Sequence, residues 1–292
     1  MSGQGGFPGS LVTVEWLAGH LHDPHVCVLD GSFHLPGSGR DPLAEYKQAH
    51  IPGARFFDVD GIKDASSPLP HMLPDADVFG AVVGALGIGD GDLVVAYDQP
   101  GSFAAPRVWW SFRTFGHDHV AVLDGGLAEW LGAGLPVSDT PPLIRPSTFS
   151  ARLRPEQVRS AAEVREMLGA SQSQIVDARP PRRYAGLDPE PRPVARRGHI
   201  PGAVNLPFVT LTDPERPGMW LQPSPLGAVF TAAGVDPALP LTAYCGSGVT
   251  ACAIAFAAHL LGSDAVAVYD GSWAEWGNRD DLPVAAGEGR DG

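Results

Sequence analysis

The chain has 292 residues, which is enough for two domains that each bury a substantial core. Hydrophobic residues make up 44% and charged residues 18% of the sequence, as is typical of a soluble globular protein. A formal net charge of −13 argues against nucleic acid or an anionic membrane surface as the main partner. No apolar run approaches the length of a membrane span, so we expect no membrane partner either.

Cysteine usage indicates a reducing compartment. The chain contains Cys27, Cys245 and Cys252, and three cysteines cannot build a disulfide framework. No Cys/His spacing typical of a metal site is present, and we expect neither a metal nor a cofactor. Because residues 1–10 also lack the apolar segment of a signal peptide, the expected location is cytoplasmic.

Short β-branched runs alternate with apolar helical stretches along the chain. Strands are predicted over 26–29, 93–97, 120–123, 174–176, 241–244 and 265–269. Helices are predicted over stretches that include 75–86, 107–115, 160–168 and 249–261. This alternation predicts an α/β protein with parallel sheets that helices cover on both faces. Sites in such sheets lie beyond the carboxyl ends of the strands.

The chain contains an internal repeat. HIPGA at 50–54 recurs at 199–203, LDGGLAEW at 123–130 recurs as YDGSWAEW at 269–276, and VCVLD at 26–30 matches QIVD at 174–177. Three pairs in the same order predict two tandem copies of one domain, over 10–137 and 155–286. The segment between them, 138–154, is rich in proline, which is typical of a semi-rigid linker.

The sequence TAYCGSGVTA at 242–251 is the strongest candidate for a reactive site. An apolar run ends at Tyr244, Cys245 follows, and two glycines bracket Ser247 before a predicted helix. Glycines let backbone N–H groups face the sulfur, and a helix N-terminus adds partial positive charge, so the loop is expected to stabilise a nucleophilic thiolate. The equivalent position in the first copy is Asp98, so we expect that copy to be catalytically idle.

The tandem α/β repeat and the single cysteine loop resemble the rhodanese superfamily of sulfurtransferases. The loop CGSGVTA is similar to its 3-mercaptopyruvate branch, whereas the thiosulfate branch typically has a basic pair after the cysteine. The resemblance implies two tandem rhodanese-like domains and a double displacement. In this reaction Cys245 takes a sulfur from 3-mercaptopyruvate, becomes a persulfide, and passes the sulfur to cyanide, a small thiol or thioredoxin.

The resemblance also implies how the donor is bound. Arg183 and Arg192 correspond to arginines that bind the donor carboxylate, which a guanidinium pairs with in a planar fork. Ala185 is a departure, because relatives often have a further arginine there. Six arginines between positions 179 and 197 suit a small anionic ligand in an otherwise acidic chain. The backbone expected to cradle the negative charge belongs to Gly246, Gly248, Val249 and Thr250.

A proton relay is implied as well. In the mercaptopyruvate branch a serine, a histidine and an aspartate lie beside the cysteine, and the equivalents here are Ser247, His71 and Asp60. When the donor gives up its sulfur, the departing carbon becomes an enolate that needs a proton. A histidine oriented by a carboxylate can supply that proton through the hydroxyl group.

Three alternatives differ in what they require of the cysteine loop. A thiosulfate sulfurtransferase uses the same chemistry with an inorganic donor, and the neutral pair Gly246 and Ser247 argues against it as the main activity. A cysteine phosphatase needs an arginine where Ala251 stands. A non-catalytic module for protein interaction is the third, and the presence of Cys245 in a glycine loop argues against it for the second copy.

The remaining notable residues are predicted to be structural. We expect His50 and His199 of the HIPGA segments to set backbone geometry, and Cys252 to be buried. The segment 107–110 is interpreted as an amphipathic helix that packs on the sheet. Solvated or salt-bridging roles are expected for Arg179, Arg182, Arg196 and Arg197.

Overall fold

A computed structural model describes residues 9–169 and 174–287. The first half alternates strands and helices: β1 (Leu11–Val12), α1 (Val14–His20), β2 (Val26–Asp30), α2 (Pro42–Gln48), β3 (Arg55–Phe56), α3 (Ala76–Ala85), β4 (Leu93–Tyr97), α4 (Ala105–Thr114), β5 (Val120–Leu123) and α5 (Gly126–Gly132). These five strands form a parallel sheet in the order β1-β5-β4-β2-β3.

The second half repeats this topology. Its elements are β6 (Val158–Arg159), α6 (Ala161–Glu166), β7 (Gln174–Asp177), α7 (Pro181–Tyr184), β8 (Val204–Asn205), α8 (Pro223–Ala233), β9 (Leu241–Tyr244), α9 (Ala251–Leu260), β10 (Val266–Tyr269) and α10 (Ser272–Trp276). Short 3₁₀ turns occupy Pro155–Gln157 and Phe208–Leu211. The parallel order is β6-β10-β9-β7-β8, so the predicted α/β fold with two equivalent sheets is confirmed.

Local signals in the sequence explain several element boundaries. The Asp75 side chain accepts the N–H of Val78 and caps α3, and Ser160 and Glu163 form a reciprocal capping box at the start of α6. The helix predicted over 249–261 begins at Ala251, two residues later than predicted. Cys245 lies in the loop before this helix.

Helix α4 differs from the amphipathic prediction. Nearly all of its residues are buried, including Arg107, Trp109 and Trp110, because α9 of the second half covers the face that the first sheet does not. Trp109 meets the ring of Phe256 edge to face at 4.9 Å between centroids. One hydrophobic core therefore runs from sheet to sheet through α4 and α9, and each sheet has a separate core on its outer face.

The proline-rich segment 138–154 lies against the first sheet and its helices. Ser138 forms an antiparallel bridge with His50, and the N–H of Ser147 donates to the carbonyl of Gly84. Phe149 is buried among the aromatic rings of the first half. These contacts hold the segment in place, while the boundaries 10–137, 138–154 and 155–286 stay predictions.

The histidines of the two HIPGA segments fix the local backbone through hydrogen bonds from their rings. His50 Nδ1 donates to the carbonyl of Tyr46 at 2.7 Å, and His199 Nδ1 donates to that of Tyr184 at 3.0 Å. Both rings are buried and stack on those same tyrosines. Within the described ranges, no helix has the length and apolarity needed to cross a membrane.

Candidate active site

The cysteine loop lies at the carboxyl end of β9, the central strand of the second sheet. Cys245 is only 2% exposed and lines a cavity of about 320 Å³ between the two halves of the chain. The cavity combines apolar and cationic walls, formed by residues that include Phe33, Leu35, Phe103, Phe208, Arg179 and Arg183. A small anion with an apolar body fits this lining, and its reacting atom would be shielded from water.

The backbone of the loop is held so that its N–H groups stay available. The N–H of Cys245 donates to Ser272 Oγ at 3.2 Å, and its carbonyl accepts the N–H of Trp273 at 3.0 Å. Gly248 has a φ of +82°, and a Cβ there would lie 2.7 Å from Asp270 Oδ1, so a side chain does not fit. In the part of the chain that the structure describes, no oxygen or nitrogen atom accepts a hydrogen bond from the backbone N–H groups of 246–251. These donors are free to face an anion at the sulfur.

The structure brings Ser247, His71 and Asp60 together although they lie far apart in the sequence. His71 Nδ1 is 3.2 Å from Ser247 Oγ and 3.1 Å from the Ser247 carbonyl, and His71 Nε2 is 2.8 Å from Asp60 Oδ1. His71 is buried, whereas the Asp60 side chain is 57% exposed. The hydrogen bond from His71 holds the pKa of Asp60 below its usual range.

Arg192 joins the same group of side chains. Its NH1 donates to Ser247 Oγ at 3.4 Å, and its NH2 lies 3.9 Å from Asp60 Oδ1. The guanidinium lies over the ring of Phe33 at 5.8 Å from the centroid. Partial burial lowers the pKa of Arg192 from its ordinary value. Arg192 thus brings a cation to the cysteine loop.

Arg183 reaches the cavity from α7. Its NH1 is 3.5 Å from Glu190 Oε2, and its side chain is 17% exposed. Glu190 also accepts a hydrogen bond from Arg179 NH1 at 2.7 Å. A single buried carboxylate therefore supports Arg183 from behind and leaves its guanidinium on the cavity wall.

A model of the rhodanese-like domain matches residues 13–133 and again residues 160–279. The chain belongs to the rhodanese family. Among its relatives, the 3-mercaptopyruvate sulfurtransferase of Homo sapiens is 43% identical over 287 residues, 96% of each chain. The thiosulfate sulfurtransferase of Rattus norvegicus is 43% identical over 290 residues, 97% of each chain.

A solved rhodanese structure agrees with these relatives. SseA from Escherichia coli, described as a 3-mercaptopyruvate sulfotransferase, superposes with a TM-score of 0.82 at 38% identity, over 90% of this chain and 98% of SseA. The expectation of two tandem rhodanese-like domains with sulfurtransferase activity is confirmed. Resemblance to the 3-mercaptopyruvate branch is confirmed too.

Sequence reasoning missed part of the rhodanese cleft. Arg179 forms salt bridges, as one of its two predicted roles required, with Asp177 at 2.6 Å and with Glu190, but it is buried at 1% exposure on the cavity wall. Arg107 and Asp270 form a buried ion pair behind the cysteine loop. The signal for the aspartates was their place in the repeated segments, where Asp177 ends strand β7 and Asp270 follows strand β10.

The other predicted residues lie where expected or nearby. Cys252 is fully buried, and burial raises the pKa of its thiol. Arg182 is exposed and pairs with Asp188. Arg196 is half-buried and donates to backbone carbonyls, and Arg197 is exposed.

Proposed function

We propose that the chain is a 3-mercaptopyruvate sulfurtransferase that works through a persulfide on Cys245. One observation carries the proposal: a chain of hydrogen bonds runs from Asp60 through His71 to Ser247, which lines the same cavity as Cys245. A relay of this kind is useful only for a donor whose leaving group needs a proton. The same identity to a thiosulfate sulfurtransferase makes that activity the second candidate.

The first step is attack of the Cys245 thiolate on the sulfur of 3-mercaptopyruvate. An S–S bond forms as the carbon–sulfur bond breaks, and the bonding electron pair moves to carbon as the enolate of pyruvate. The transferred sulfur stays on Cys245 as a persulfide. The N–H groups of 246–251, which include those of Gly246, Gly248, Val249 and Thr250, have no acceptor among the described residues, and we propose that they bind the negative charge before and after this transfer.

The second requirement is a proton for the enolate carbon. The Ser247 hydroxyl donates it, and the protonated His71 ring replaces it through Nδ1. Asp60, on Nε2 of the same ring, orients the imidazole and stabilises its positive charge. The ring regains its proton from the next thiol that ionises in the cleft.

The donor carboxylate is held by Arg183 and Arg192. Both arginines line a small cavity that also reaches Gly246 and Ser247. Charge-assisted hydrogen bonds from two guanidinium groups fix a planar carboxylate in position and orientation. The apolar wall around Phe33 and Leu35 accommodates the remaining carbon atoms.

An acceptor thiolate completes the cycle. It attacks the outer sulfur of the Cys245 persulfide, carries that sulfur away as its own persulfide, and restores the Cys245 thiolate. Cyanide attacks in the same way and leaves as thiocyanate. Thioredoxin or a small thiol is the acceptor that we propose, and no metal or cofactor takes part in either step.

Intact-mass spectrometry tests the proposal. The protein is mixed with 3-mercaptopyruvate or with thiosulfate in the absence of an acceptor. We expect one added sulfur atom, formed faster from 3-mercaptopyruvate, and no addition in Cys245→Ser. Equal or faster loading from thiosulfate would favour the second candidate, and loading of the serine variant would overturn the proposal.

Three further assignments belong to the proposal. The segment 10–137 forms an idle domain that supplies His71 and Asp60, the segment 138–154 links the domains, and the segment 155–286 carries the nucleophile.

The location is cytoplasmic, which fits three cysteines that are free in the structure. Imaging of a fluorescent fusion in the source cell checks the location, and an organellar signal would contradict it.

A further inference from the structure

A buried ion pair joins the two domains directly behind the cysteine loop. Arg107 projects from α4 of the first domain, and its NH1 donates to Asp270 Oδ1 of the second domain at 2.5 Å. The guanidinium lies 4.7 Å from the centroid of the Trp110 ring. Both charged side chains are almost fully buried, at 4% and 1% exposure. Burying an ion pair costs solvation free energy, which the attraction between the two charges does not offset by itself. The pair is stable only if its side chains also make well-placed hydrogen bonds.

The pair holds the backbone on both sides of His71. Arg107 NH2 donates to the carbonyl of His71, and Asp270 Oδ2 accepts the N–H of Leu73 at 2.7 Å. His71 is one of two described non-glycine residues with positive φ, at +60°, a conformation that costs free energy and needs surrounding support. The backbone that carries the imidazole is therefore held by Arg107 of its own domain and, at Leu73, by Asp270 of the other domain.

The same pair also touches the cysteine loop. Arg107 NH1 donates to the carbonyl of Gly248 at 3.3 Å, one residue after Ser247. Gly248 has no Cβ, and one placed there would lie 3.2 Å from Arg107 NH1. The two chain segments whose side chains meet at the Ser247–His71 hydrogen bond are thus tied to one guanidinium.

The pseudo-symmetric position in the other half shows what the arginine adds. Asp124, the counterpart of Asp270 in the repeated segment, accepts the N–H of Trp220 from the second domain at 2.8 Å. Helix α9, the counterpart of α4, contains no arginine or lysine. An aspartate that clasps the opposite domain is common to both halves. Among the described residues, the helix arginine pairs with Asp270, next to the cysteine loop, and it has no counterpart on α9 beside Asp124.

We propose that Arg107 and Asp270 are positioning residues that set the Ser247–His71 hydrogen bond across the domain interface. They touch neither the donor nor the acceptor, and they act through the backbone of His71 and Gly248. The inference rests on the proposed function of the Ser247–His71–Asp60 relay. Loss of the pair should therefore impair the donor that needs a proton and spare the donor that does not.

The kinetic test compares variants of the full chain with cyanide as the acceptor. Arg107→Met alone leaves Asp270 buried and unpaired and can prevent folding, so Arg107→Met/Asp270→Asn is the main variant. We expect kcat for 3-mercaptopyruvate to fall about 10- to 100-fold with little change in KM, within the range that general acid catalysis supplies. Turnover of thiosulfate should stay within about threefold, and Arg107→Lys should recover part of the loss.

Asp124→Asn is the matched control. It changes the equivalent interdomain contact at Trp220, which lies on the other side of the pseudo-symmetric interface, so it should leave the ratio of the two donor activities unchanged. With His71→Ala added to the Arg107→Met/Asp270→Asn variant, the total loss should not exceed the roughly 100-fold loss expected for His71→Ala alone, because both changes remove one relay. Equal losses for both donors, or losses that multiply in the combined variant, would overturn the proposal.

A readout without turnover separates this inference from the proposed function. The nitrogen resonances of the His71 ring in ¹⁵N-labelled protein report its tautomer and hydrogen bonds. We expect them to shift in Arg107→Met/Asp270→Asn and to stay in place in Asp124→Asn. Unchanged resonances would overturn the positioning role even if 3-mercaptopyruvate is the donor, and shifted resonances would support it even if that donor assignment failed.

Discussion

The loop after β4 and the loop after β9 occupy the same place in the two sheets. They differ in whether a side chain of the protein already accepts hydrogen bonds from their backbone N–H groups. In both, a buried tyrosine ends the strand and its hydroxyl accepts a backbone N–H, from Ile51 in the first half and from Ile200 in the second. The next residue, Asp98 or Cys245, accepts an N–H from the helix that follows the next strand. The scaffold is the same up to the side chain of that residue.

The difference lies in what occupies the helix N-terminus. One oxygen of Asp98 accepts the N–H groups of Ala104 and Ala105 at 2.7 and 3.0 Å, so a side chain of the domain itself takes these donors. The corresponding N–H groups of 246–251 are left for the sulfur of Cys245 and for what that sulfur receives. The first rhodanese domain, which has Asp98 in place of the cysteine, thus satisfies these donors with its own side chain.

The largest expected effect comes from removing the nucleophile. Cys245→Ser should lower sulfur transfer from either donor by at least about 1000-fold, because a hydroxyl is not ionised near neutral pH and forms no persulfide. A coupled assay with cyanide measures the loss. Cys27→Ala is the control, since Cys27 is buried in the first domain, away from the cleft. Turnover that survives in the serine variant would mean that the two loops do not differ as proposed.

A smaller and donor-dependent effect is expected from the relay. His71→Ala should lower kcat for 3-mercaptopyruvate about 100-fold, because the enolate loses its proton source. Thiosulfate leaves as sulfite and needs no such proton, so its turnover should fall far less. Steady-state kinetics with both donors measure the ratio. A parallel loss would show that His71 supports the cleft without delivering a proton.

The carboxylate clamp should affect binding more than turnover. Arg183→Ala and Arg192→Ala are each expected to raise KM for 3-mercaptopyruvate about 10-fold, which corresponds to one charge-assisted hydrogen bond. Arg182→Ala is the matched control for Arg183→Ala. Arg182 lies on the same helix, but it is exposed and pairs with Asp188. Equal changes in KM for thiosulfate would remove the carboxylate from the explanation.

The smallest effect concerns stability and pH. Burial raises the pKa of Asp98 to about 7, above the 3.8 of an ordinary aspartate, so the folded state binds this proton more tightly than the unfolded chain does. Stability from this group is therefore fully present below about pH 4 and is lost as pH rises to about 7, by at most about 1.4 kcal/mol per pH unit.

Urea unfolding at pH 5 and at pH 8 tests this direction. Asp98→Asn keeps an oxygen for the N–H groups and cannot ionise, so its stability relative to the wild type should be higher at pH 8 than at pH 5. An identical difference at the two pH values would show that Asp98 does not titrate in the folded protein. The ionisation of Asp98 would then not be one of the differences between the two loops.

Local patterns made much of the fold predictable. Strands β4, β5 and β9 coincide with their predicted ranges, because a buried parallel strand is a short β-branched run between turns. Helix α4 packs on its sheet as predicted, but its other face is buried too, because a second apolar neighbour, α9, lies about 150 residues further along the chain. The family resemblance named Asp60, His71 and Ser247, but it could not place them side by side.

The sequence by itself determined the repeat, the alternation that makes a parallel sheet, and the one loop in which a cysteine follows a central strand. Each of these features depends on contiguous residues, because their periodicity and their glycines act locally. Only the tertiary structure decided that His71 reaches Ser247, that Arg179 is buried beside Asp177, and that Arg107 meets Asp270. The contacts of His71 with Ser247 and of Arg107 with Asp270 cross the interface at which α4 packs against α9, so they join side chains that no local pattern relates.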